Sequence, residues 1–120
     1  MKKVVLTAVI SALLLGNAFA DDTIVELAHI ASPKQYELLL ENEEVTVLKM
    51  TLKPGEKDNW HKHNAETVYF EKGGKATIIT SEKNMTLEIP DGYVMWHDQW
   101  EHQVKNVGNK TITAIIVEKK

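Results

Sequence analysis

Beyond residue 44 the chain is a succession of short, β-branched-rich runs, nearly every one closed by a turn signal. Val45 to Leu52 stops at Pro54-Gly55. Thr67 to Glu71 meets Gly73-Gly74, and Lys75 to Thr80 gives way to the polar stretch Ser81 to Asn84. Met85 to Ile89 ends at Pro90-Asp91-Gly92, Tyr93 to Trp96 follows, and Thr111 to Val117 comes after Gly108-Asn109. None of these runs carries a helical period. Spaced about ten residues apart, they predict seven or eight strands closed into an all-β sandwich or barrel. Gly73-Gly74 reads as a hairpin turn. Lys34 to Glu44 fits either a helical turn or a first strand.

The first twenty residues stand apart from this pattern. Lys2 and Lys3 precede an apolar run from Val4 to Leu15, and Ala18-Phe19-Ala20 supplies small residues where a signal peptidase cuts. The layout predicts a secretory signal peptide, residues 1–20, cleaved after Ala20. The run is too short to span a bilayer comfortably, and no other segment is apolar for long enough to do so. The expected mature chain is one domain, residues 21–120 with its core in 44–118, periplasmic or secreted and free of the membrane.

Composition narrows the chemistry. Without Lys2 and Lys3, twelve lysines face seventeen acids, a net charge of −5. An acidic domain with no basic stripe is a poor nucleic-acid binder. There is no cysteine, so neither a disulfide nor a thiol nucleophile is available. Arginine is absent too, and with it the planar fork that usually captures carboxylates and phosphates.

The residues that carry chemistry lie in GEKDNWHKHNAETVYFEKG, Gly55 to Gly73, and in DQWEHQVKN, Asp98 to Asn106. In an extended strand His61 and His63 share one face while Lys62 takes the other, as two adjacent ligands of one metal require. Glu66 follows across an expected kink at Asn64-Ala65. His102 is expected on a separate strand, closing the site from across the barrel. Three neutral imidazoles and a carboxylate suit Fe(II), Mn(II), Ni(II) or Zn(II), with positions left for water or a small polar ligand. If Glu66 is not a ligand, it is the natural general base. His97 either lines the pocket as a second catalytic group or faces outward. Trp60, Trp96 and Trp100 flank the histidines and either wall a pocket or fill the core. By alternation Phe70 shares the inward face of Val68 and Glu66, and Tyr69 faces away.

Glycine and glutamate spacing sets this histidine pair apart from an incidental one. Gly55, five residues, His61 and His63, then Glu66, six residues and Gly73 resemble the first motif of the cupin superfamily. Gly92, five residues and Asp98, then His102, three residues and Asn106 are similar to the second. The chain departs from the pattern in having only Asn64 and Ala65 before Glu66. It also has Asp98 and Trp100 in place of the second motif's proline and glycine, with one residue fewer before His102. The layout of WHDQWEH, Trp96 to His102, is similar to the small single-domain cupins of the beta-alanine-degradation type. The resemblance implies a jelly-roll barrel with one divalent transition metal near its mouth. It also implies a homodimer, in which Thr23 to Ile30 could add as an edge strand to a neighbouring barrel.

Three readings of function follow. The first is a metal-dependent enzyme of isomerase, lyase or oxygenase type acting on a small molecule. The absence of cysteine and arginine counts against a thiol dioxygenase. The second is a module that binds a ligand or metal without turnover, and the third a structural protein with vestigial histidines.

Overall fold

The computed structural model describes residues 24–120, so the expected signal peptide lies outside the described residues. A four-residue helical turn, α1 (Ala28–Ala31), precedes nine strands. These are β1 (Tyr36–Glu41), β2 (Val45–Leu52), β3 (His61–His63), β4 (Glu66–Lys72), β5 (Gly74–Ile79), β6 (Asn84–Ile89), β7 (Val94–His97), β8 (Trp100–Asn106) and β9 (Ile112–Lys119). The ambiguous segment Lys34 to Glu44 therefore holds a strand. Two antiparallel sheets face each other, ordered β1-β2-β9-β4-β7 and β3-β8-β5-β6. This is the all-β architecture the turn spacing predicts, in the jelly-roll form the resemblance implies, with nine strands rather than seven or eight.

Alternation along the long strands makes the core. In β2, Leu48, Met50 and Leu52 point inward; in β9, Ile112, Ala114 and Ile116 do the same. Paired across the register Ile112↔Leu52, Ala114↔Met50 and Ile116↔Leu48, they form a continuous apolar floor. Burying each large aliphatic side chain contributes about 1.5–3 kcal/mol. Val68 and Phe70 of β4 extend the floor while Tyr69 faces solvent, as alternation requires.

Gly73-Gly74 is not a hairpin. β4 and β5 lie in opposite sheets, and the two glycines carry the chain from one to the other. The close approach of β6 explains Gly73: a Cβ there would clash with the carbonyl oxygen of Ile89. Gly73 N–H also donates to Asp91 Oδ1 at 2.7 Å, tying this corner to the turn that returns the chain to the first sheet. The pair of glycines signals a tight backbone, but a local signal does not say which sheet the next strand joins.

The N-terminal segment is also used differently from the expectation. Leu27 bridges Lys62 in parallel, Lys62 N–H donates to Glu26 O, and α1 packs beside β3. This stretch thus pairs with the histidine strand of its own barrel.

The two glycines of known constraint separate by cost. Gly73→Ala forces a clash with backbone and is expected to lose about 2–4 kcal/mol in urea unfolding. Gly55→Ala, with φ +83° but nothing within 4 Å of the new methyl, is expected to lose about 1–2 kcal/mol. Equal losses would contradict this account of the corner.

Candidate metal centre

β3 and β8 are hydrogen-bonded neighbours in one sheet, and their register sets His61 directly opposite His102 and His63 opposite Trp100. All three imidazoles are buried, and Lys62 between the first two points the other way. The turn at Gly55 is locked to the end of β8 by reciprocal bonds, Gly55 N–H to Asn106 O and Asn106 N–H to Glu56 O. Asn106, fully buried, spends its side-chain amide on Leu52 O and Lys110 O, so this motif residue fastens strand ends rather than entering the site.

The rings meet edge to face, with centroids 4.7 Å apart for His61–His63, 4.8 Å for His61–His102 and 5.1 Å for His63–His102. Their outer nitrogens decide the tautomers. His61 Nδ1 donates to the carbonyl of Asn59 at 2.7 Å, and His63 Nδ1 donates to Glu118 Oε2 at 2.6 Å. A neutral imidazole carries one N–H, so each ring is left with a lone pair at Nε2. Those two lone pairs face each other at 3.0 Å. Both ring nitrogens of His102 and Oε1 of Glu66 are buried without a partner. Two opposed lone pairs and three orphaned polar atoms in a buried pocket are repulsive alone and satisfied by a cation. One nitrogen each from His61, His63 and His102 lies within 4.8 Å of the others, a group that could hold a metal ion. The donor set therefore fits a divalent transition metal.

Glu66 arrives from the opposite sheet and stands beside this trio rather than within it. Its Oε2 accepts from Trp100 Nε1 at 2.6 Å, and its Oε1 lies 3.4 Å from His63 Nδ1. With His63 and Glu118 it forms a second buried cluster. The geometry reverses the expected sides: His102 neighbours His61 in the same sheet, and the carboxylates Glu66 and Glu118 come from across the barrel.

The remaining sequence candidates sort clearly. His97, opposite Glu66 on β7, stacks on Trp100 at 3.5 Å and donates from Nδ1 to Asp98 O. It braces Trp100, whose edge meets His102 at 4.1 Å, and stays outside the imidazole trio. It is not outward-facing, since it shares the parity of half-buried Met95. Trp60 donates to Glu101 outside the barrel, and Trp96 is 55% exposed, so of the three tryptophans only Trp100 belongs to the site. His29 is half-buried in α1.

Two residues escaped the sequence reading. Glu118 orients His63 and accepts the Asn64 amide through Oε1. Asp58, buried, accepts from the Tyr36 hydroxyl and the Val104 amide, and lies 3.6 Å from His61 Nδ1. A signal for Glu118 existed: it occupies the inward parity of Ile112, Ala114 and Ile116, where a charge is costly without a partner.

Burial governs the ionisation. It pushes His63 down to about 3 and His102 to about 2, reinforced by the surrounding imidazoles. Both stay neutral and available as ligands. Burial pushes Glu66 up to about 8, partly offset by the Trp100 hydrogen bond and aided by Glu118.

No family model and no curated protein matches the chain. Solved structures do. A cupin domain from Bordetella pertussis superposes with a TM-score of 0.65 at 24% identity, covering 71% of this chain and 91% of its own. The chain has the cupin fold. A cupin family protein with a double-stranded β-helix fold from Methanocaldococcus jannaschii gives a TM-score of 0.58 at 18% identity, over 82% of this chain and 90% of that one. A predicted oxalate decarboxylase from Thermotoga maritima gives 0.50 at 25% identity, over 68% and 76%. These likenesses concern the cupin barrel; the metal centre rests on the side-chain geometry above.

The raised Glu66 yields a pH test on metal-free protein. Its folded value near 8 exceeds the ordinary 4.5, so the stability it contributes is present below pH 4.5 and lost as pH rises toward 8. Glu66→Gln keeps an acceptor for Trp100 and removes the charge. The variant's Tm is expected to gain on the wild type by at least about 5 °C between pH 4.5 and pH 8. A constant difference would contradict the burial account.

Proposed function

We propose that this protein is an exported cupin that holds one divalent transition metal on His61, His63 and His102 and binds or transforms a small molecule there. The observation that carries the proposal is the 3.0 Å approach of two Nε2 atoms whose tautomers are fixed from behind. When bound, the metal supplies a Lewis acid or a redox centre with coordination sites open to a ligand. The chain supplies the rest. Asn59 and Glu118 hold the rings in register, and burial excludes water. Glu66 Oε1, unpartnered beside His63, is placed to accept or donate a proton at a bound molecule, so we assign it the acid–base part rather than a ligand's.

Export rests on the N-terminal layout of residues 1–20 and gives a mature domain starting at Asp21. The alternative is a binding module with the same metal and no turnover. Turnover of a candidate substrate that disappears with Glu66→Gln, while metal content stays, would select the enzyme.

We also propose a homodimer, now through the outer face of the five-stranded sheet. Val47, Val117, Thr67 and Trp96 lie side by side across four strands, and Ile115, Tyr69 and Val94 form the next row. Tyr69, Val94, Trp96 and Val117 are all exposed and adjoin one another, a contiguous apolar face of the kind that marks an interaction surface. A single repeated face suits a two-fold dimer. Light scattering of the mature protein is expected to give twice the chain mass at micromolar concentration, falling to the monomer in Val94→Glu/Trp96→Glu. A monomeric wild type would refute this interface.

Metal content tests the central reading. Untagged mature protein is expected to hold about one equivalent of metal, and His61→Ala/His63→Ala close to none. Glu118→Gln should weaken affinity by about ten- to a hundredfold while leaving the fold intact. Absence of metal after reconstitution of the wild type would overturn the proposal.

A further inference from the structure

The space beside the three imidazoles bears on the class of molecule the site accepts. A cavity of about 50 Å³ lies between the two sheets, bounded at one end by His63, Glu66, Trp100 and His102. Its remaining walls come from apolar side chains of seven strands and part of an eighth, among them Met50, Val68, Phe70, Ile78, Met95 and Ile116. The two walls with polar tips offer nothing to a guest. The Tyr36 hydroxyl is spent on Asp58 at 2.7 Å, and the Trp100 N–H on Glu66. No lysine lies among the described lining residues, and the chain has no arginine. Among the described lining residues, the polar atoms left without a donor or acceptor are the His102 nitrogens, Glu66 Oε1 and the Nε2 lone pair of His63, all at the metal end.

Such a space sorts ligands by where their polarity sits. A hydroxyl or second carboxylate carried into the far end would lose its water and find no partner. A methylene placed there gains by leaving water. Size sets the other limit. A water needs about 10–15 Å³ by this measure, so the cavity holds about three to five such groups.

We propose that the ligand is a short aliphatic molecule with a single metal-binding head, such as a carboxylate, and an unsubstituted tail of about two to four carbons. The proposal rests on the metal reading above and narrows its small polar molecule to one polar at a single end. Sugars, polyols and dicarboxylates are disfavoured because their second polar group would be stranded among Val68, Phe70 and Ile116.

Two measurements on the mature protein test it. In metal-free protein, xenon is expected to shift the methyl resonances of Met50, Val68 and Ile116 saturably. In the cobalt(II)-loaded protein, followed by its visible spectrum, affinity should rise about fourfold per methylene from acetate to butyrate. Butyrate should bind at least about tenfold more tightly than 4-hydroxybutyrate or succinate. A flat series, equal or tighter binding of 4-hydroxybutyrate, or no xenon response would each overturn the proposal. Uptake of xenon without uptake of cobalt would overturn the metal reading, and with it the head group.

Discussion

The structure turns on two hydrogen bonds made on the far side of the site. Asn59 and Glu118 take the Nδ1 protons of His61 and His63, which leaves both Nε2 lone pairs aimed at one point. Neither bond touches the space where a metal would sit, yet they determine what can occupy it. With one of the two tautomers reversed, that ring's Nε2–H could donate to the lone pair of the other, and the pair would need no ion. Much of the surrounding barrel serves this arrangement. The β3–β8 register brings His102 opposite His61, and β9 carries Glu118 up to His63 from the other sheet.

Much of this was legible from the residues. Alternation and turn chemistry gave the strands, and the two-residue period placed His61 and His63 on one face with Lys62 reversed. The same parity put Phe70 inward and Tyr69 outward. Local signals failed where the answer depends on which sheet a strand joins. Gly73-Gly74 reads as a hairpin because glycine pairs tolerate tight backbone, but the constraint here is the Ile89 carbonyl pressed against Gly73. The sides of His102 and Glu66 were exchanged for the same reason.

Glu118 shows the other limit. It lies fifty-five residues from His63, in no motif, and only the barrel brings the two together. Its inward parity at the end of an apolar run was nonetheless a sign of a partnered buried charge. The tryptophans were ambiguous because size and apolarity suit both a core and a rim. Their partners separated them: Trp100 found Glu66, Trp60 found Glu101, and Trp96 found neither.

Nitrogen-15 NMR of the imidazole rings in zinc-loaded protein tests the central claim most directly, because it reports each ring nitrogen separately. The account predicts that His61 and His63 retain protonated Nδ1 while both Nε2 resonances move to metal-bound positions, together and at one equivalent. Coordination through Nδ1 of either ring, or rings left unchanged by zinc, would contradict it.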